Sequence, residues 1–138
     1  MSEKNKLELV KKYKLHERPL GNDPKKVFSE LKNLFNTSKE YFIVLHLDTK
    51  HKIICREIVH IGGLNQALIE PRAIFKNAIS LDANSIILAH NHSSGDLEPS
   101  KEDKEITLKL LECGDLLGIK VLDHIIFNDI EYKSRWYE

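Results

Sequence analysis

The segment that most constrains the fold begins with SIILAH, Ser85 to His90, a continuous apolar run. Such a run is typical of a strand covered on both faces, so we expect it to be central in a sheet. A polar loop follows it, and a helix is predicted from Ser100 to about Leu117, with Gly118 as its natural stop. IKVLDHIIFN, Ile119 to Asn128, predicts the next strand. The segment therefore predicts a strand–helix–strand unit.

Two earlier runs predict a hairpin. YFIVLHL, Tyr41 to Leu47, and KIICREIVH, Lys52 to His60, are partly β-branched and are separated by the turn DTKH. Gly62 and Gly63 end the second strand, and LNQALIE, residues 64–70, is interpreted as one more short strand.

Two shorter helices complete the pattern. Asp23 before Pro24 is a typical helix start, because aspartate caps the first turn and proline fits the first helical position. This helix is predicted to end near Asn36–Ser38. Its apolar residues at helical spacing are Val27, Phe28, Leu31, Leu34 and Phe35. The second helix begins at Pro71, and its predicted apolar face is Ile74, Ala78 and Ile79.

The order of elements gives an α/β fold class in mixed α+β form. Residues 1–21 are interpreted as an N-terminal extension or edge strand, with a weak strand pattern from Leu7 to Leu15. Residues 22–138 are interpreted as a single metal-binding domain. A chain of 138 residues can bury a real core without disulfides.

The composition argues against nucleic-acid and membrane partners. Lysine plus arginine equals aspartate plus glutamate at 21 each, so nothing attracts the chain generally to phosphates, and a local basic patch stays open as an alternative. No apolar run is long enough for a signal peptide or a membrane-spanning helix. Cys55 and Cys113 lie in apolar stretches without a CxxC pair, which indicates free thiols and a cytoplasmic protein.

The segment HNHSSGDLEPSKED, His90 to Asp103, has the residue types of a metal site. Residues i and i+2 of an extended segment point the same way, so His90 and His92 can offer two imidazoles to one ion. Asp103, in the first turn of the next helix, can add a carboxylate. Two nitrogens and one oxygen suit Zn²⁺, and three protein ligands leave a position for water.

Each half of this segment also has a purely structural interpretation. Ser100 and Asp103 fit a capping-box-like helix start, with the carboxylate favoured by the helix dipole. His90 and His92 can simply end a strand. The combined spacing is more specific than either half, but the residues alone leave both interpretations open.

The pattern HxHx7SxxD resembles the signature of JAMM/MPN metalloproteases. The run EPRAIFKNAISLDANSIILAHNHSSGDLEPSKEDKEIT…IKVLDHII resembles the JAB domain of bacterial RadC-like proteins, over about Tyr41 to His124. The resemblance implies a curved mixed β-sheet flanked by helices, in a JAB/MPN-like, cytidine-deaminase-like layered architecture. It also implies a zinc-dependent metallopeptidase or isopeptidase. The implied zinc ligands are His90, His92 and Asp103.

The resemblance further implies a general base, a glutamate on an upstream strand, which matches Glu57 in REIVHIGG. From the residues alone, Glu57 is equally a polar residue on an exposed strand face. Ser100 is expected to hold the developing oxyanion by its hydroxyl, in competition with its capping role. His124 is either a second-sphere support or a packed core histidine, and His46 is expected to lie away from the site.

The sequence departs from the family pattern in three places. Ser93 stands where the family usually has proline, and Glu70–Pro71–Arg72 stands where it often has histidine–proline–arginine. The ending EYKSRWYE matches only loosely. The N-terminal helical region of longer RadC proteins is not in this sequence, which resembles a stand-alone JAB domain.

Two other functions stay open. Many MPN-type domains are non-catalytic interaction modules, although those typically lack the ligands that are present here. A DNA-repair-associated role, suggested by the RadC label, has no support from a basic–aromatic stripe. The expected partner is a peptide or protein substrate. A homodimer through an edge strand or Trp136–Tyr137 is a further expectation.

Overall fold

The computed structural model describes residues 7–63 and 68–138. Within these residues a six-stranded mixed sheet has the order β1, β3, β2, β4, β5, β6. The strands are β1 (Val10–Lys12), β2 (Tyr41–Leu47), β3 (Ile53–Ile61), β4 (Ser85–His90), β5 (Lys120–Phe127) and β6 (Tyr132–Lys133). The helices are α1 (Pro24–Leu31), α2 (Pro71–Ser80) and α3 (Lys101–Leu117). The mixed α/β fold class is confirmed.

The strand β4 is central, as its apolar sequence predicts. It pairs antiparallel with β2 and parallel with β5, and every one of its residues is buried. The helix α3 makes the crossover that a parallel pair needs. The predicted hairpin is also present, because β2 pairs antiparallel with β3, and β1 adds an edge strand on β3.

The helices cover both faces of the sheet. On one face Val27 and Leu31 of α1 pack against Ile43 and Leu45 of β2. On the other face α2 and α3 pack against the alternate residues of the same strands, which include Phe42, Val44, Ile86 and Leu88. Successive side chains of a strand point to opposite faces, so each central strand supplies both cores.

Capping residues predict the ends of the helices better than the spacing of apolar residues does. The Asp23 side chain accepts a hydrogen bond from the Lys25 amide, and Gly118 ends α3 in the left-handed conformation at φ 75°. However, α1 ends at Leu31, and Lys32–Leu34 form a 3₁₀ turn. The prediction of a helix to Asn36–Ser38 was therefore wrong.

Two smaller predictions also need correction. Ile79 is 57% exposed, and Phe75 is buried in its place on the face of α2. Of the strand interpreted at 64–70, residues 68–70 form no strand, and residues 64–67 lie outside the described part. Among the described residues, no helix has the length and hydrophobicity needed to cross a bilayer.

The glycine at position 114 is required by the close return of the chain after α3. The Ile119 amide donates to the Gly114 carbonyl at 2.9 Å, and a Cβ at Gly114 would clash with the Ile119 carbonyl oxygen.

We predict that Gly114→Ala lowers the free energy of unfolding by about 1–3 kcal/mol, because overpacking outweighs the better helix propensity of alanine. Urea denaturation measures this loss. Glu112→Ala, on the exposed side of the same helix, is the control, and equal stability of Gly114→Ala and wild type would contradict the prediction.

Candidate metal centre

The two histidines lie where the chain leaves the end of β4. His90 is the last residue of the strand, and Asn91 is fully buried behind it. The Asn91 side chain accepts from the Tyr41 amide at 2.9 Å and donates to the Lys39 carbonyl at 3.0 Å. These bonds tie the exit of β4 to the start of β2, so that His92 follows at a fixed place.

The capping box of α3 positions the carboxylate. The Ser100 hydroxyl accepts from the Asp103 amide at 3.0 Å, and Asp103 Oδ2 accepts from the Ser100 amide at 2.7 Å. Both bonds of a capping box are thus present. The Asp103 side chain is only 1% exposed and points into the fold. The structural and the metal-binding interpretations therefore apply to the same residue.

His90, His92 and Asp103 bring their ligand atoms together at this point. The two Nε2 atoms are 3.1 Å apart, His92 Nε2 is 3.0 Å from Asp103 Oδ2, and His90 Nε2 is 2.9 Å from Asp103 Oδ1. Ligands about 2.0–2.1 Å from a tetrahedral zinc ion lie roughly 3.3 Å from one another. The cluster therefore has nearly the spacing that a tetrahedral ion requires.

The hydrogen bonds of His92 leave its Nε2 free to act as a ligand. Its Nδ1 lies 2.8 Å from the Asp96 carbonyl oxygen, which can only accept, so the ring proton is on Nδ1. Nε2 then carries a lone pair. Asp96 contributes through its main chain and not as a ligand.

A longer chain of hydrogen bonds gives the same result for His90. The Thr107 hydroxyl donates its only proton to the Asp103 carbonyl at 2.6 Å, so it accepts from His124 Nδ1 at 2.5 Å. His124 Nε2 then accepts from His90 Nδ1 at 2.8 Å. Burial holds the pKa of His124 well below its usual value, so this ring carries a single proton. Nε2 of His90 therefore has a lone pair too.

This donor set fits a divalent cation. Two lone pairs and a carboxylate converge, and Asp103 Oδ1 is buried without a hydrogen bond, although His90 Nε2 is close. A buried acceptor with no partner is costly, and so are converging acceptors with no positive charge between them. Nitrogen and carboxylate ligands suit zinc. His90, His92 and Asp103 form the one such cluster found among the described residues.

Without a metal, a proton takes part of this role. Burial by itself raises the pKa of Asp103, but the adjacent imidazoles and the Ser100 amide outweigh it and hold the pKa well below 3.8. Hydrogen bonding to Asp103 raises the pKa of His92 above 6.5, against the opposite effect of burial. The metal-free centre therefore favours a protonated His92 beside an ionised Asp103.

Glu57, the expected general base, lies in a different environment. Its register partner on β2 is Val44, its Oε1 is 3.0 Å from His46 Nε2, and its Oε2 accepts from Asn77 at 2.6 Å. It lines a cavity of about 300 Å³ between β3 and α2, together with Ile69, Ala73 and others. His46, expected to lie away from the site, is a partner of Glu57 and not of the cluster.

A different glutamate lies beside the cluster. Glu40 directly precedes β2, its Oε1 accepts from the Ser93 amide at 3.3 Å, and its charge contributes to the raised pKa of His92. It also lines a small cavity with His90 and Gly62. Sequence reasoning missed Glu40 because a polar residue before an apolar strand resembles a loop residue. The usable signal was the pairing of antiparallel strands, which places the start of β2 beside the end of β4.

Ser100 keeps a proton for a second role. The bond from the Asp103 amide uses a lone pair of the Ser100 hydroxyl, not its hydrogen. Capping the helix and donating to an oxyanion are therefore compatible, and the expected competition between the two roles does not arise.

The chain is similar to known proteins over a range that includes His90 to Asp103. A family model described as RadC-like JAB domain matches residues 21–136. A UPF0758 protein of Staphylococcus haemolyticus is 50% identical over 108 residues, which cover 78% of this chain and 46% of that protein. One from Caldanaerobacter subterraneus is 52% identical over 103 residues (72% and 44%), and one from Methanosarcina mazei is 45% identical over 120 residues (81% and 52%). The chain thus spans about half the length of these curated relatives.

The His92–Asp103 pair predicts how the stability of the metal-free protein depends on pH. The pKa of His92 is raised, so its contribution is complete below its unfolded value of 6.5 and is lost as pH rises through the folded value. The pKa of Asp103 is lowered, so its contribution is complete above 3.8 and is lost in stronger acid. With a chelator present, we expect His92→Gln to cost most unfolding free energy between about pH 4 and 6.5. A cost that stays constant to pH 9 would contradict this, and His16→Gln, on an exposed residue, is the control.

Proposed function

Because the chain belongs to the RadC-like JAB domain family, we propose that it is a zinc-dependent hydrolase, and more narrowly a metallopeptidase or isopeptidase. The observation that carries the proposal is the convergence of two imidazole lone pairs and the buried Asp103 carboxylate within 4.8 Å of one another. Zinc held by His90, His92 and Asp103 would supply Lewis acidity and lower the pKa of water at the site. The expected substrate, a peptide or protein, is part of this proposal.

Glu40 is proposed as the general base in preference to Glu57. Its carboxylate accepts from the Ser93 amide, its charge acts on His92, and it is half-buried. From there it can accept a proton from the attacking water and return it to the leaving amine. Both oxygens of Glu57 are instead held by His46 and Asn77. Glu57 stays the alternative base.

Ser100 is proposed as the electrophilic partner. Its hydroxyl is held in place by the Asp103 amide, and its proton can point toward the oxygen on which negative charge develops. A donor fixed in this way needs little reorganisation during the reaction, which is the source of oxyanion stabilisation.

The first test is the metal content. We predict about one zinc ion per chain in protein purified without chelators, because the donor atoms of His90, His92 and Asp103 lie 2.9–3.1 Å apart, close to the spacing that tetrahedral zinc requires. His92→Ala should weaken zinc binding by more than the roughly 10- to 100-fold that is typical of outer partners. Elemental analysis and chelator competition measure both, with His16→Ala as the control. Absence of zinc after reconstitution would reduce the segment to a loop and a helix cap.

The second test separates the two glutamates. A degenerate peptide library containing both peptide and lysine isopeptide bonds is incubated with the zinc-loaded protein, and the products are read by mass spectrometry. We predict that Glu40→Gln lowers the rate by about 10²–10⁴-fold with unchanged zinc content, whereas Glu57→Gln keeps most of the rate.

The opposite pattern in this experiment would assign the base to Glu57. A wild-type protein that binds zinc but cleaves none of the library would favour the second candidate function, a metal-bound interaction module.

A further inference from the structure

We propose that Thr107 and His124 are positioning residues, which hold His90 in the one tautomer that can bind a metal ion. The inference rests on the proposed metal site but concerns residues that are not ligands. Both side chains are fully buried, Thr107 on α3 and His124 on β5. They form a bridge of hydrogen bonds from the main chain of one ligand, Asp103, to the ring of another, His90.

The direction of this bridge is fixed at its carbonyl end. The Asp103 carbonyl can only accept, and the Thr107 hydroxyl has one proton, which goes to that carbonyl. If His124 carried its proton on Nε2 instead, its Nδ1 lone pair would face the Thr107 lone pair at 2.5 Å. The same switch would leave no acceptor for His90 Nδ1, and the His90 proton would move to Nε2, where the metal must bind.

The surroundings keep water from replacing these bonds. The Trp136 ring lies 5.1 Å from the His124 ring, and Phe42 meets His124 edge-on at 5.9 Å. Trp136 is held by its neighbours, because the Ser134 hydroxyl and the Arg135 amide both donate to the buried carboxylate of Asp123. The tail that departs from the family pattern therefore closes the back of the centre.

A packed core histidine and a positioning histidine make different demands on the sequence. A packing role requires only volume, so an isosteric residue without hydrogen bonds is tolerated there. A positioning role requires an acceptor facing His90, and it requires a hydroxyl at position 107. Paired substitutions separate the two roles. Thr107→Val and His124→Leu remove the hydrogen bonds, whereas Thr107→Ser and His124→Gln keep a hydroxyl and an acceptor.

The test measures the zinc dissociation constant of the full chain by chelator competition. We expect Thr107→Val and His124→Leu to bind zinc about 10- to 100-fold more weakly than wild type, the usual effect of losing an outer partner of a ligand. Thr107→Ser and His124→Gln should stay within about threefold. His46→Leu, a substitution of an equally buried histidine away from the ligands, should not change the constant. If His124→Leu does not fold, the Thr107 pair decides.

A second readout does not depend on zinc. Nitrogen-15 chemical shifts of the His90 ring in metal-free protein, recorded above pH 8, should show the proton on Nδ1 in wild type and Thr107→Ser. In Thr107→Val they should show a shift toward the Nε2-protonated form. Unchanged zinc binding in Thr107→Val and His124→Leu, an equal loss in His46→Leu, or a wild-type His90 protonated on Nε2 would each overturn the proposal. A wild type that binds no zinc but shows the Nδ1 proton would sink the proposed metal site and leave the hydrogen-bond bridge standing.

Discussion

The buried carboxylate of Asp103 is the interaction on which both the fold and the site depend. It closes the capping box of α3, and it lies within 3.0 Å of both histidines. A carboxylate that is only 1% exposed must be compensated, because an unpaired buried charge is strongly destabilising. The main-chain amide of Ser100 supplies part of that compensation, and in the metal-free protein a protonated His92 supplies more. The same residue therefore caps the start of the helix and lies against both histidines.

The start of α3 has an electrostatic feature that would allow a cation to bind at this point. The N-terminus of a helix has a partial positive charge, which repels cations and attracts anions. The carboxylate of Asp103, in the first turn, accepts from the Ser100 amide. Its full negative charge therefore outweighs the partial positive charge of the helix N-terminus. The cross-strand partners of His90, which are Phe42 on β2 and Ile126 on β5, set the other half of the site. The end of β4 and the start of α3 thus meet at a point where the negative charge of Asp103 offsets the partial positive charge of the helix N-terminus.

Local patterns predicted the parts of the site that lie close together in sequence. The segment from His90 to Asp103 contains both the pair of histidines in extended chain and the helix cap. Its metal-binding chemistry can therefore be predicted without knowing the fold. The neighbours from other strands were harder to find. Glu40 approaches His92 only because β2 runs antiparallel to β4, and His124 reaches His90 only because β5 runs parallel to it. Likewise, Phe75 is buried and Ile79 is exposed because of how α2 packs against the other elements of its core, which periodicity does not specify.

Proton binding, metal binding and folding would all involve the same lone pairs, those of His90, His92 and Asp103. A proton on His92 and a cation bound among His90, His92 and Asp103 would each relieve the clustering of acceptors, so the two would compete for the same place. A ligand that binds only the folded state adds to its stability in proportion to the logarithm of its concentration over its dissociation constant. The bridge through Thr107 and His124 is assembled by folding and not by the metal, because all of its bonds are made within the chain. It follows that the fold would set the tautomer of His90 before any ion arrived, and that a bound ion would stabilise the arrangement that the fold has already selected.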